Sequence, residues 1–167
     1  MKFHRAALWV IALTLLNIGC IAFHPESLKK DSSGYYIKHY DSCGPVALEQ
    51  AFRALGEKSA SRTKISRSIQ DGGNTIRHLM MLVHHDTILV STPKEMKDVC
   101  NKYGYQMVEI KEFDNLNPKK DVAIVLLFGN ILKGESHWAS YPHAENIKNW
   151  FGPNTSISKV YLLKKIN

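Results

Sequence analysis

The apolar residues change their period midway along the chain, and that change restricts the fold more than any other feature. Up to Gly104 they recur at helical spacing: Leu48, Phe52 and Leu55, then Ile76, Leu79, Met80 and Val83, then Met96, Val99, Cys100 and Tyr103. After Gly104 they form short runs of strand length. Residues 122–128 are apolar without interruption, which suits a strand buried on both faces. Further strands are expected at 105–110, 137–141, 147–151 and 160–163. Helices first and a sheet second is the α+β pattern.

The helix boundaries carry their own signals. Asp41-Ser42 ahead of Cys43-Gly44-Pro45 reads as a helix start, with Asp or Ser as cap and proline in the first turn. Gly56 supplies a stop. A second helix is expected over 63–69, a break at Gly72-Gly73-Asn74 and a third helix over 75–84. Thr92-Pro93-Lys94-Glu95 opens a fourth that runs to about Tyr103, and Gly104 ends it.

The chain has 167 residues, enough for one domain and a short appendage. Three segments are expected: a signal or anchor segment at 1–23, a polar linker at 24–34 and a domain at 35–167. Lys2 and Arg5 precede an apolar run, residues 6–23, in which Thr14 and Asn17 are the polar side chains and no charge occurs. Its length lies between a signal-peptide core and a transmembrane helix. A buried core helix would keep a polar face, which this run lacks. The positive residues before it place the rest of the chain on the non-cytoplasmic side. The chain is therefore expected to be membrane-anchored or exported, with the membrane as a partner through this run. Cys20 after Gly19 has only a partial match to a lipid-attachment box, because Asn17 stands where leucine is usual.

Net charge is +7, but the lysines and arginines are scattered, with no basic run interleaved with aromatics. Nucleic acid is not expected as a partner. The three cysteines, Cys20, Cys43 and Cys100, do not form a disulfide framework. A Cys43–Cys100 bridge is conceivable in an exported chain. The spacing of Cys100 with Met96, Val99 and Tyr103 points instead to a core thiol.

Cys43 is the residue that points to chemistry. At a helix start the unpaired N–H groups and the dipole favour a thiolate, which is the attacking form of cysteine. The turn-like, polar neighbourhood argues against a merely structural cysteine. A thiol nucleophile needs a base on a rigid element far along the chain. Of the eight histidines, His137 opens a strand directly after a glycine-containing loop and is the best placed. His84-His85-Asp86 is read as a solvated helix end rather than a metal site, since adjacent helical side chains point about 100° apart. Gly72-Gly73 is read as a plain loop rather than an anion site. No metal and no cofactor are expected.

The segment Tyr40-Asp41-Ser42-Cys43-Gly44-Pro45-Val46-Ala47-Leu48 resembles the nucleophile motif of the bacteriocin-processing, double-glycine-leader peptidases, a compact branch of the papain-like cysteine proteases. His137-Trp138-Ala139-Ser140-Tyr141 resembles their histidine strand, and the order of the two motifs agrees. The resemblance covers about residues 36–160 and implies a papain-like fold. It also implies a cysteine peptidase acting on a peptide or protein substrate through an acyl-enzyme. Two positions depart from it. Ile37 stands where the family has the oxyanion glutamine, leaving Lys38, His39 or the Cys43 backbone N–H as substitutes. Gly152-Pro153 stands where the family has Asp-Pro. Asn154, or failing it Asn149, is then the side chain expected to orient the imidazole. These departures keep a second reading open: an inert peptidase-like domain that binds peptide or protein.

Overall fold

A computed structural model describes residues 29–73, 91–111, 113–129, 136–143 and 155–167, apart from the Lys38 side chain. Within them a short 3-10 helix, Ile37–Asp41, leads directly into α1, Cys43–Ala54. Next come α2, Arg62–Asp71, and α3, Pro93–Lys102. Four strands complete the set: β1, Tyr105–Ile110; β2, Ala123–Phe128; β3, Ser136–Tyr141; and β4, Ser156–Lys165. The architecture is α+β, with the helices preceding an antiparallel sheet of order β1-β4-β2-β3.

Local chemistry accounts for the boundaries. Thr92 caps α3 by accepting from the Glu95 N–H, and the Glu95 carboxylate accepts from the Thr92 N–H at 2.8 Å, a capping box. Ser61 caps α2 one way only, its side chain accepting from the Lys64 N–H. Gly104 leaves α3 with a φ of +77°, a conformation that glycine adopts without Cβ strain.

The apolar run of β2 is buried on both faces. Ile124 and Leu126 join Leu48, Phe52, Ile65, Met96 and Trp138 beneath the helices. Ala123, Val125 and Leu127 join Ala139, Tyr141 and Val160 on the other side, where Phe113 and Leu116 pack over them.

Residues ahead of α1 are pinned to α2. Asp31 accepts from the Arg67 guanidinium at 2.7 Å and from the Tyr40 hydroxyl. The Tyr40 hydroxyl and Arg67 hold the Asp31 carboxyl well below the usual carboxylate range. The Gln70 amide bonds both the N–H and the carbonyl of Tyr36. Arg62 then ties Asp41 to Glu49 of α1. The polypeptide on both sides of Cys43 is thus clamped to one helix.

The described α-helices have 10 to 12 residues. At 1.5 Å per residue they reach about 15–18 Å, roughly half a bilayer core. No helix among the described residues is long and apolar enough to cross a membrane. The expected transmembrane helix is corrected on that ground. The run at 6–23 lies outside the described residues, as do the third helix expected over 75–84, His84-His85-Asp86 and the strand expected over 147–151.

Candidate active site

Cys43 is the first residue of α1. Pro45 occupies the first turn, where its missing N–H is no loss, and the first helical bond runs from the Val46 N–H to the Ser42 carbonyl. Ser42 is the N-cap residue but does not cap with its side chain. Its hydroxyl is already committed: it donates to the His39 carbonyl at 2.9 Å and lies 2.8 Å from His39 Nδ1. A hydroxyl has one proton, and a carbonyl oxygen only accepts. Nδ1 of His39 must therefore carry the proton in its contact with Ser42. His39 is thereby engaged with Ser42 in the turn ahead of α1. It is also buried, at 2% exposure.

The start of α1 is held unusually close to its surroundings. A Cβ on Gly44 would lie 2.3 Å from Ser91 Oγ, 2.7 Å from Ser91 Cβ and 3.2 Å from Met96 Sδ. The Trp138 indole N–H donates to the Ser91 carbonyl at 2.5 Å, which links this packed turn to β3. Further along, the Ser140 hydroxyl donates to Gln50 of α1 at 2.8 Å. The helix therefore runs along β3, with Cys43 beside Trp138. Glycine early in a helix is otherwise unfavourable. That misplaced glycine is the signal in the sequence that the turn at Cys43 needs a close approach. Gly44→Ala is expected to cost about 1–3 kcal/mol. Urea unfolding would measure it, and a midpoint equal to the parent's would mean that Ser91 simply moves away.

Cys43 is almost wholly covered, at 6% exposure. Burial pushes the thiol above its ordinary value of 9.0, while the backbone N–H groups of Trp138, Gly44 and Cys43 itself oppose the rise. The helix start thus acts in the expected direction, but desolvation outweighs it. The resting thiol is protonated at neutral pH. Cys100 is a second free thiol, fully buried in the core and pushed up to about 12 by burial.

His137 is the second residue of β3, directly opposite Leu127. Trp138 and Ser140 face the helices, so strand alternation sets His137 on the opposite face with Ala139 and Tyr141. The Trp138 N–H that reaches the sulfur points along the sheet plane, away from β2. Among the described residues β3 is the edge of the sheet. The Cys43 sulfur is thus met by the backbone N–H of the residue that follows His137. Burial holds the His137 imidazole below its ordinary 6.5, which keeps it neutral and able to take a proton. Asn154, Asn149 and Gly152-Pro153 lie outside the described residues.

Fold and site together define an α+β protein with a buried thiol at the start of its first described α-helix, set against an edge strand that carries a neutral imidazole. The chain matches no protein-family model, no curated protein and no solved structure.

Proposed function

We propose that the chain is a thiol hydrolase of the papain-like type, a cysteine peptidase, with Cys43 as nucleophile and His137 as base. The observation that carries this reading is the Cys43 sulfur at the α1 start, held by the N–H of the residue next to His137. The motif resemblance supplies the substrate class, a peptide or protein amide.

The charge states set the order of events. Thiol and imidazole are both neutral at rest, so His137 removes the thiol proton as sulfur attacks the carbonyl carbon. The imidazolium gives that proton to the leaving nitrogen as the C–N bond breaks. Water then attacks the thioester with His137 as base, releasing the acid and restoring the thiol. The Cys43 backbone N–H at the helix start is the donor proposed for the developing oxyanion. Asn154, with Asn149 as its rival, takes the role of holding the ring.

The alternative, an inert domain that binds peptide, is favoured by one observation: the near-complete burial of the thiol. An activated ester separates the two. A stoichiometric burst followed by turnover, lost in Cys43→Ser and kept in Cys100→Ala, supports the hydrolase. Absence of any Cys43-dependent turnover in the parent chain rejects it.

Two neutral partners also predict a pH profile. Because His137 is active when unprotonated and titrates below 6.5, kcat/KM is expected to hold as pH falls through 6.5 and to drop only lower. Simple alkylation of Cys43 by iodoacetamide is expected to rise only above pH 9.0. Rapid alkylation near pH 6 would reveal a stored thiolate–imidazolium pair instead.

A further inference from the structure

We infer that Ser91 is a positioning residue for Cys43: its buried hydroxyl, pressed against the start of α1, turns its O–H toward the negative charge that forms on the sulfur when the thiol gives up its proton. This rests on the reading of Cys43 as nucleophile above. Ser91 is fully buried, and its Oγ has no hydrogen-bond partner among the described residues. A buried hydroxyl in that state is destabilising, and alanine would occupy the place without the penalty. The hydroxyl is held there by its neighbours. The Ser91–Thr92 peptide just ahead of α3 is fixed at both polar groups: its carbonyl accepts from the Trp138 indole N–H at 2.5 Å, and its N–H donates to the Glu95 carboxylate at 2.8 Å.

From that fixed point the side chain reaches the second residue of α1, where a Cβ on Gly44 would meet Oγ at 2.3 Å. Gly44 Cα is one C–C bond, about 1.5 Å, further back, so Oγ lies against the helix backbone. Gly44 and Trp138 are the two residues whose backbone N–H groups join that of Cys43 at the sulfur. Ser91 therefore touches both, Gly44 through its hydroxyl and Trp138 through its carbonyl. A hydroxyl proton rotates to suit the acceptor offered, and in a buried site its dipole acts strongly on a charge. Ser91 is closed to solvent, so the charge it answers forms inside the protein, and the sulfur is the group at this helix start that becomes negative. The titratable side chains on the surrounding elements are His39 and Asp41 ahead of α1, Glu49 on it, Arg62 on α2, Glu95 on α3 and His137 on β3. None of them moves the thiol, which is governed by burial and by the three backbone N–H groups.

The test compares the full parent chain with Ser91→Ala, which removes the hydroxyl and keeps the carbonyl that holds Trp138. Iodoacetamide is the probe, and labelling of the Cys43 peptide is followed across pH by mass spectrometry. Loss of the donor disfavours the thiolate, so the labelling midpoint is expected to move up by about one pH unit, and labelling at pH 9.0 to fall by about tenfold. The urea midpoint is expected to be equal or higher, because an unpartnered buried hydroxyl has been removed. A labelling profile identical to the parent's overturns the role of Ser91. A raised profile accompanied by a lower urea midpoint overturns it as well, since lost packing then explains both. Because labelling needs no substrate, it separates this inference from the hydrolase reading. A parent chain with no Cys43-dependent turnover of an activated ester rejects that reading, whatever the two labelling profiles show.

Discussion

Replacing His137 with alanine is expected to lower turnover of a peptide or activated amide by about 10²- to 10⁴-fold, the usual contribution of a positioned general base. The size follows from the state of Cys43. Its thiol is buried and held above 9.0, so almost none is thiolate at neutral pH. On the proposed hydrolase reading the thiol must lose its proton as it attacks, and His137, next in sequence to the sulfur's N–H donor, is the base proposed for that step. Where hydroxide removes the proton, the base is no longer needed. Iodoacetamide labelling of Cys43 above pH 9.0 is therefore expected to proceed alike in the variant and the parent. A variant with parental turnover at neutral pH would show that another group takes the proton.

Trp138→Ala is expected to destabilise the chain by about 3–5 kcal/mol, the range for truncating a large buried aromatic. Trp138 is 1% exposed, and its ring lies 6.1 Å from that of Tyr161. Its indole N–H also satisfies the Ser91 carbonyl. Phe in its place keeps most of the apolar contact and loses the hydrogen bond, so Trp138→Phe is expected to cost about 1–3 kcal/mol. Urea midpoints for the pair distinguish packing from polar satisfaction. Equal losses in both variants would mean that the indole N–H bond, not the ring volume, carries the effect.

Much of the fold was legible because it depends on neighbours in sequence. Thr92-Pro93-Lys94-Glu95 holds a whole capping box within one turn. The strand at Tyr105–Ile110 follows from a glycine stop and alternation, and the run through β2 meets one core on each face. The strand read at 160–163 is longer, Ser156–Lys165, because its polar ends are held by pairing with β1 and β2 rather than by apolar content.

The site was less legible, for a physical reason. The sign of the Cys43 shift depends on how deeply Trp138 and its neighbours bury the sulfur, and nothing within the Asp41–Pro45 stretch records that depth. The Ser42 hydroxyl looks like a helix cap until the competing His39 groups are seen. The Asp31–Arg67 pair joins residues 36 apart, with no local signal that they meet.

The sheet order carries a consequence for control of the site. β4, the last of the four described strands, lies in the middle of the sheet between β1 and β2. Without it, β2 and β3 are a two-stranded ribbon, which is marginal in water. The strand that holds the Trp138 N–H against the sulfur therefore gains its backing only when residues 156–165 are in place. Trimming the chain within that segment would loosen the surroundings of Cys43 from a distance, with every residue near the sulfur still in place in the sequence.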